Sequence, residues 1–239
     1  MKGVYGAKGR IGLVVPANNS VIEPEFWSAL PQGCSVHAAR ILAKGDLTPE
    51  AVRRMERDAD AAVEAIAATG VDVIAYCDMV TTFIMEPGWN EAAVERFARA
   101  AAVPCVSAWT AMRDALEKLD VEQIAIGTPY PAAIHALVPP FFEANGFQVK
   151  SHATLDILAM REVPCVDASR LGDFVARLDL AACDALVLLA TDLPTFGSIE
   201  ALEARHDLPV LTSNQALLWA ALRHLPAARP VQRLGRVFQ

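Results

Sequence analysis

The chain has 239 residues, 54% of them hydrophobic and 21% charged, with a formal net charge of −7. That length buries one large core or two compact ones. The acidic balance, with no Lys/Arg run, speaks against a nucleic-acid or anionic-membrane partner.

No apolar run approaches the roughly 18 residues of a bilayer span. The start of the chain carries no apolar stretch ending in a small-residue cleavage site, so a cytoplasmic protein is expected. Cys34, Cys77, Cys105, Cys165 and Cys183 make an odd set without CxxC spacing, which fits reduced thiols better than a disulfide framework. The five histidines form no HxH or HExxH pair, so no metal site is expected.

In chain order, Ile11 to Pro16 reads as a strand, and Pro16 to Ser20 as a polar turn after it. Thr48 to Thr69 carries Val52, Met55, Ala59, Val63 and Ile66 at three- and four-residue spacing, the stripe of an amphipathic helix that Thr48-Pro49 opens and Gly70 ends. Val71 to Tyr76 follows as a buried strand, then Cys77-Asp78 and a helix over Val80 to Pro87. Residues 90–101 form a helix, Pro104 to Trp109 a strand and Thr110 to Leu119 a helix. Glu122 to Tyr130 restarts the pattern.

The pattern then repeats itself. Gly70 to Phe83 is echoed by Ala182 to Phe196, and Val103 to Leu116 by Leu208 to Leu222. Each copy is an apolar strand, a polar turn, a helix, a Pro-led strand ending in small polar residues, and a second helix. Alternating strands and helices predict parallel sheets covered on both faces. The expected fold is therefore α/β, with two pseudo-symmetric Rossmann-like halves, each a mainly parallel sheet flanked by helices. The halves divide as 1–115 and 116–225, with the last helix free to cross back, and 226–239 reads as a tail or a partner contact.

Ligands of such sheets sit beyond the carboxyl ends of the strands, so the residues that matter follow each strand, in the cleft between the halves. Cys77 ends one strand at the start of a helix, where the macrodipole favours thiolate, and the free N–H groups of that turn can hold a carboxylate or enolate oxygen. The bland alternative is an inert buried thiol. Asn18 and Asn19 offer neutral donors and acceptors, although Pro-x-Asn-Asn is an ordinary turn sequence. Met79, Thr128, Tyr130, Ser213 and Asn214 share strand-end positions and are candidates for substrate binding. Thr81 and Thr82 are candidate pocket hydroxyls, and Trp109 a candidate apolar wall.

Taken together, VVPANNSVIEPEF, VDVIAYC, AIGTPY and PVLTSNQALLWAAL resemble the maleate cis-trans isomerase and arylmalonate decarboxylase group of the aspartate/glutamate racemase superfamily, from about Arg10 to about Leu225. The resemblance implies an active site between two α/β halves, no cofactor, a small carboxylic acid as substrate, and a homodimer. It gives Cys77 the role of the first family cysteine, a thiolate that adds to the alkene carbon of a small unsaturated acid before rotation and elimination. Asn19 and Tyr130 match the family's carboxylate-binding positions, and Thr212 to Asn214 would line the pocket from the second half.

The chain also departs from the family. The second cysteine is replaced within Ala190-Thr191-Asp192, so a two-thiol proton shuttle is not available. The decarboxylases keep only that second cysteine, yet Ala159-Met160 is similar to their branch. Asp78 and Asp192 each follow the catalytic position of their half. We read each as an N-cap of the helix after its strand. If both instead face the cleft, one is an acid or base, the substrate is less anionic than maleate, and a decarboxylase or a Cys77-dependent hydrolase becomes the alternative. A ligand-binding protein without catalysis is the third possibility.

Overall fold

The computed structural model describes residues 4–225, 231 and 233–239. In the first half the order is β1 (Gly9–Pro16), α1 (Ile22–Ala29), β2 (Cys34–Ile41), α2 (Pro49–Glu56), α3 (Ala59–Ala67), β3 (Val73–Tyr76), α4 (Thr81–Ile84), α5 (Trp89–Ala101), β4 (Cys105–Ser107) and α6 (Ala108–Lys118). The second half runs β5 (Gln123–Thr128), α7 (Ala132–His135), α8 (Val138–Ala144), β6 (Gln148–Thr154), α9 (Ala168–Val175), β7 (Ala185–Leu188), α10 (Ile199–His206), β8 (Val210–Thr212) and α11 (Ser213–Arg223), with 3-10 turns at Met160–Cys165 and Arg236–Phe238.

The strands form two four-stranded sheets, ordered β2-β1-β3-β4 and β6-β5-β7-β8. Every pairing in them is parallel. The identical order is the structural counterpart of the internal echo. Among the described residues no helix is long and apolar enough to cross a membrane.

Strand alternation divides the core. On one face of the first sheet Val14, Ile74 and Tyr76 pack with Val63, Ile66 and Phe97 from α3 and α5. On the other, Ile11, Leu13, Val15, Val73 and Ala75 belong to a cluster that runs on through Ile124, Ile126 and Val187 of the second sheet. Burial on both faces is why these strands read as unbroken apolar runs. The halves also meet through α6 and α11, which pack on each other, and α11 reaches β3 and β4 as well. Both helices open on a capping box, Ser107 with Thr110 and Thr212 with Gln215, and α11 is buried at every residue from Ser213 to Leu222.

Three expectations change. The helix expected over 48–69 breaks at Arg57-Asp58 into α2 and α3. The break lets α3 lie along β1 and β2 while α2 packs on α4 and turns Val52 and Met55 toward the space between the halves. The helix after Cys77 shrinks to the four residues of α4, because Met85 is already extended and Pro87 disfavours helical backbone at Glu86. In the segment read as a tail, residues 226–230 and 232 lie outside the described residues. The rest is docked: Val231, Leu234 and Val237 are buried, Gln215 donates to the Leu234 carbonyl at 2.8 Å, and Lys118 to that of Val237 at 2.8 Å.

Candidate active site

Beyond the carboxyl ends of β1, β3, β5 and β7 the halves enclose about 630 Å³ of atom-free space, mouth included. Its polar lining is Asn18, Asn19, Asp78, Tyr130, Thr191 and Asp192, with Lys44 at the exposed rim. Val52 and Met55 supply apolar wall from the first half, and Ile157, Met160 and Val163 from the second. The Leu47 amide donates to the Leu158 carbonyl at 3.5 Å, so the two halves also touch over the cavity.

A chain of hydrogen bonds sets the two catalytic-position turns against each other. Thr191 Oγ1 donates to the Cys77 carbonyl at 2.9 Å and accepts from Asn19 Nδ2 at 3.1 Å. Asn19 Oδ1 in turn accepts from the Val21 and Ile22 amides at 2.9 and 3.1 Å, capping the start of α1. From α1, Glu25 reaches into the second half and accepts from the Thr195 and Phe196 amides at 2.6 and 2.8 Å and from Asn214 Nδ2 at 2.7 Å. Asn214 Nδ2 also donates to the Thr191 carbonyl at 2.9 Å. Burial raises the Glu25 pKa, and these three donors oppose the rise. Next to Thr191, Ala190 has φ +104°, an unusual conformation for a residue with a Cβ, and Ser213 Oγ accepts its amide at 3.1 Å.

The expected helix-activated thiolate at Cys77 is not what the structure holds. Cys77 is fully buried, and its Sγ donates to the Ala75 carbonyl at 3.2 Å. Burial pushes its pKa well above the usual thiol value, and the neighbouring Cys105 and Asp78 add to the rise. Three residues, Asp78 to Val80, separate it from the four-residue α4, so the thiol does not sit at a helix N-terminus and lacks the dipole that should stabilise thiolate. The sulfur is a neutral thiol lying behind the cavity wall that Asp78 and Met79 form.

The two aspartates both line the cavity. Asp78 is also a cap: its Oδ1 accepts from the Thr81 amide at 2.7 Å and the Thr81 hydroxyl at 2.6 Å. Burial still pushes its carboxyl up from 3.8 to about 6 against those bonds. Asp192 is no cap, since no helix starts until Ile199. Burial pushes it from 3.8 to about 7, opposed by its own N–H and reinforced by the Asp78 charge. Tyr130 is 4% exposed and its hydroxyl, buried, has no hydrogen-bond partner among the described residues. Burial, then Asp78 and Asp192, raise its pKa well above the ordinary value, so it stays a donor. Its ring is held edge-on by Phe83 of the first half, centroids 6.2 Å apart.

Of the candidate binding residues, Asn18, Asn19, Met79 and Tyr130 border the cavity, whereas Thr128, Ser213 and Asn214 stand behind it. Thr128 Oγ1 pairs with His135 Nδ1 at 2.9 Å, and His135 Nε2 with His152 Nδ1 at 3.0 Å. Burial and His152 push His135 down to about 4, so it is neutral. Thr81 serves Asp78, Thr82 meets Asn90 at 3.4 Å, and Trp109 is core, packed against Phe141 at 4.6 Å and Phe142 at 5.3 Å. Sequence reading missed Glu25, which looks like a solvated charge on a short helix, and the apolar residues of α2 and residues 157–163, whose periodicity is that of ordinary core.

The family model described as arylmalonate decarboxylase matches residues 11–238. Maleate isomerase of Nocardia farcinica (strain IFM 10152) is 28% identical, covering 96% of this chain and 95% of its own. A solved structure of Nocardia farcinica maleate cis-trans isomerase, a cysteine-to-serine mutant with a covalently bound succinylcysteine intermediate, has a TM-score of 0.90 at 28% identity over 96% of this chain and 98% of that one. The maleate isomerase Iso from Pseudomonas putida S16 gives 0.91 at 25% identity over 96% and 98%. With two sheets of one strand order, a cavity at their carboxyl ends and a family match over nearly its whole length, the chain belongs to the arylmalonate decarboxylase family.

Proposed function

We propose that the protein is a cofactor-independent isomerase of a small unsaturated organic acid, with Cys77 as nucleophile. The observation that carries this reading is the single thiol at the end of β3, bonded through its carbonyl to Thr191 of the opposite half, in a fold shared with a relative that holds a succinylcysteine intermediate. For reaction the Cys77 Sγ leaves the Ala75 carbonyl, turns toward the cavity and gives its proton to a carboxylate. Asp192 and Asp78 are suited to take it, because a carboxyl raised to about 7 or about 6 is a stronger base than an ordinary one.

The thiolate then adds to one alkene carbon, and the π electrons move onto the adjacent carbon and its carboxyl group as an enolate. Rotation about the new single bond and expulsion of the thiolate give the other geometric isomer, with no net gain or loss of atoms. In this reading the Tyr130 O–H holds substrate oxygen, supported by its buried hydroxyl at the cavity wall. Thr191 and Asn19 act by position, fixing the Cys77 turn against the second half. The reading includes a homodimer in a reducing cytoplasm.

The test is product mass and geometry. Incubation with cis-unsaturated acids should give the trans isomer at unchanged mass, read by proton NMR, and Cys77→Ala and Cys77→Ser should abolish it. A second reading, a decarboxylase or a Cys77-dependent hydrolase, is favoured by one observation, the two carboxyls in the cavity beside Thr191. Release of carbon dioxide, or solvent oxygen in the product, would select it.

A further inference from the structure

The cavity presents a specific set of unmet hydrogen-bonding groups. On the donor side is the Tyr130 hydroxyl, buried and without a partner among the described residues. On the acceptor side is Asn18 Oδ1, also buried and unpartnered, while Asn18 Nδ2 is turned to the Met160 thioether at 3.4 Å. Asp192 adds a carboxyl opposed only by its own amide, and Asp78 a carboxyl whose Oδ1 is committed to Thr81 while the residue still borders the space. Among the described residues the one cation of the lining, Lys44, is exposed. Burying a second substrate carboxylate here would place it near two acidic side chains without a buried cation to pair it, which is costly in a poorly solvated site. An N–H donor in the same place would satisfy the acceptors with charge-assisted bonds.

We propose that Asp78 and Asp192 make this site selective for a half-amide over a dicarboxylate: a small four-carbon cis-unsaturated acid whose carboxamide N–H₂ donates to the aspartates and Asn18 while the Tyr130 hydroxyl donates to a substrate oxygen. The inference deepens the isomerase reading and rests on it only for the reaction; the preference for amide over carboxylate stands on the lining alone. Asp192 is the side chain to test first, because among the described residues no side-chain bond to another residue depends on it, whereas Asp78 also holds the turn at Thr81.

Binding and turnover separate the two claims. The wild-type protein is titrated calorimetrically at pH 8 with the saturated analogues succinamate and succinate, which cannot be isomerised. Succinamate should bind at least roughly tenfold more tightly, and Asp192→Asn should narrow the ratio to within about threefold by improving succinate. Succinate binding as well as or better than succinamate, no measurable binding of either, or an unchanged ratio in Asp192→Asn with native circular dichroism would overturn the proposal. Turnover of maleamate and maleate is then followed by NMR. Fumaramate formed faster than fumarate supports both claims, and faster fumarate formation counts against the amide preference. Selective succinamate binding without any isomerisation leaves the selectivity standing and removes the isomerase reading.

Discussion

Replacing Asp192 by asparagine isolates the cost of holding a carboxyl in the cavity wall. In the folded protein this group is pushed from 3.8 to about 7. The native state therefore holds the proton more tightly than the unfolded chain does. The group's contribution to stability is full below about pH 4 and is lost as pH rises through about 7. A rise of that size corresponds to about 4 kcal/mol across the whole range. Because the unfolded carboxyl titrates first, about 2–3 kcal/mol of it falls between pH 5 and pH 8. Asparagine keeps the shape and stays neutral, so the variant should gain on the wild type by about that amount over the interval. Urea unfolding of both proteins at pH 5 and pH 8, at one protein concentration and read by tryptophan fluorescence, measures the difference. Parallel stability curves, or a variant that loses ground at pH 8, would show that the Asp192 carboxyl is well solvated and refute the reasoning.

Other perturbations test the scaffold. Glu25→Ala strips the Thr195 and Phe196 amides of their acceptor and leaves Asn214 Nδ2 only the Thr191 carbonyl; two unpaired buried donors at about 1–3 kcal/mol each give a loss of about 2–6 kcal/mol in chemical denaturation. Asn19→Ala removes both a cap of α1 and the contact to Thr191, and should cost about 1–2 kcal/mol while lowering kcat more than it raises KM. A Cβ at Gly127 would sit 2.8 Å from the Phe174 ring and 2.9 Å from Leu188; Gly127→Ala should destabilise by about 1–3 kcal/mol, seen as a lower Tm.

The architecture was legible because it is written in local pattern. The echo of Gly70 to Phe83 in Ala182 to Phe196 became two sheets of the same strand order, and the small polar ends of the Pro-led strands became the capping residues Ser107 and Thr212. Strand-end logic also brought Asn18, Asn19, Asp78, Met79, Tyr130, Thr191 and Asp192 to one cavity. What escaped depends on direction and on contacts remote in sequence. Periodicity gives Cys77 its place but not the orientation of its sulfur, which turns back on Ala75 and leaves the thiol neutral. Glu25 acquires its role only when folding delivers Thr195 and Phe196 from 170 and 171 residues away. The break at Arg57-Asp58 follows from what α2 must reach, which its own stripe of apolar residues does not record. Asp78 shows a limit of either-or reasoning, since it caps a turn and borders the cavity at once.

The most direct measurement is chemical identification of what becomes of Cys77 during turnover. The protein is mixed with maleamate or maleate, quenched in acid within the first turnovers, digested and mapped by mass spectrometry. A saturated four-carbon adduct on the Cys77 peptide is expected, absent in Cys77→Ser, together with trans product of unchanged mass. Trans product formed with full activity by Cys77→Ser would contradict this mechanism.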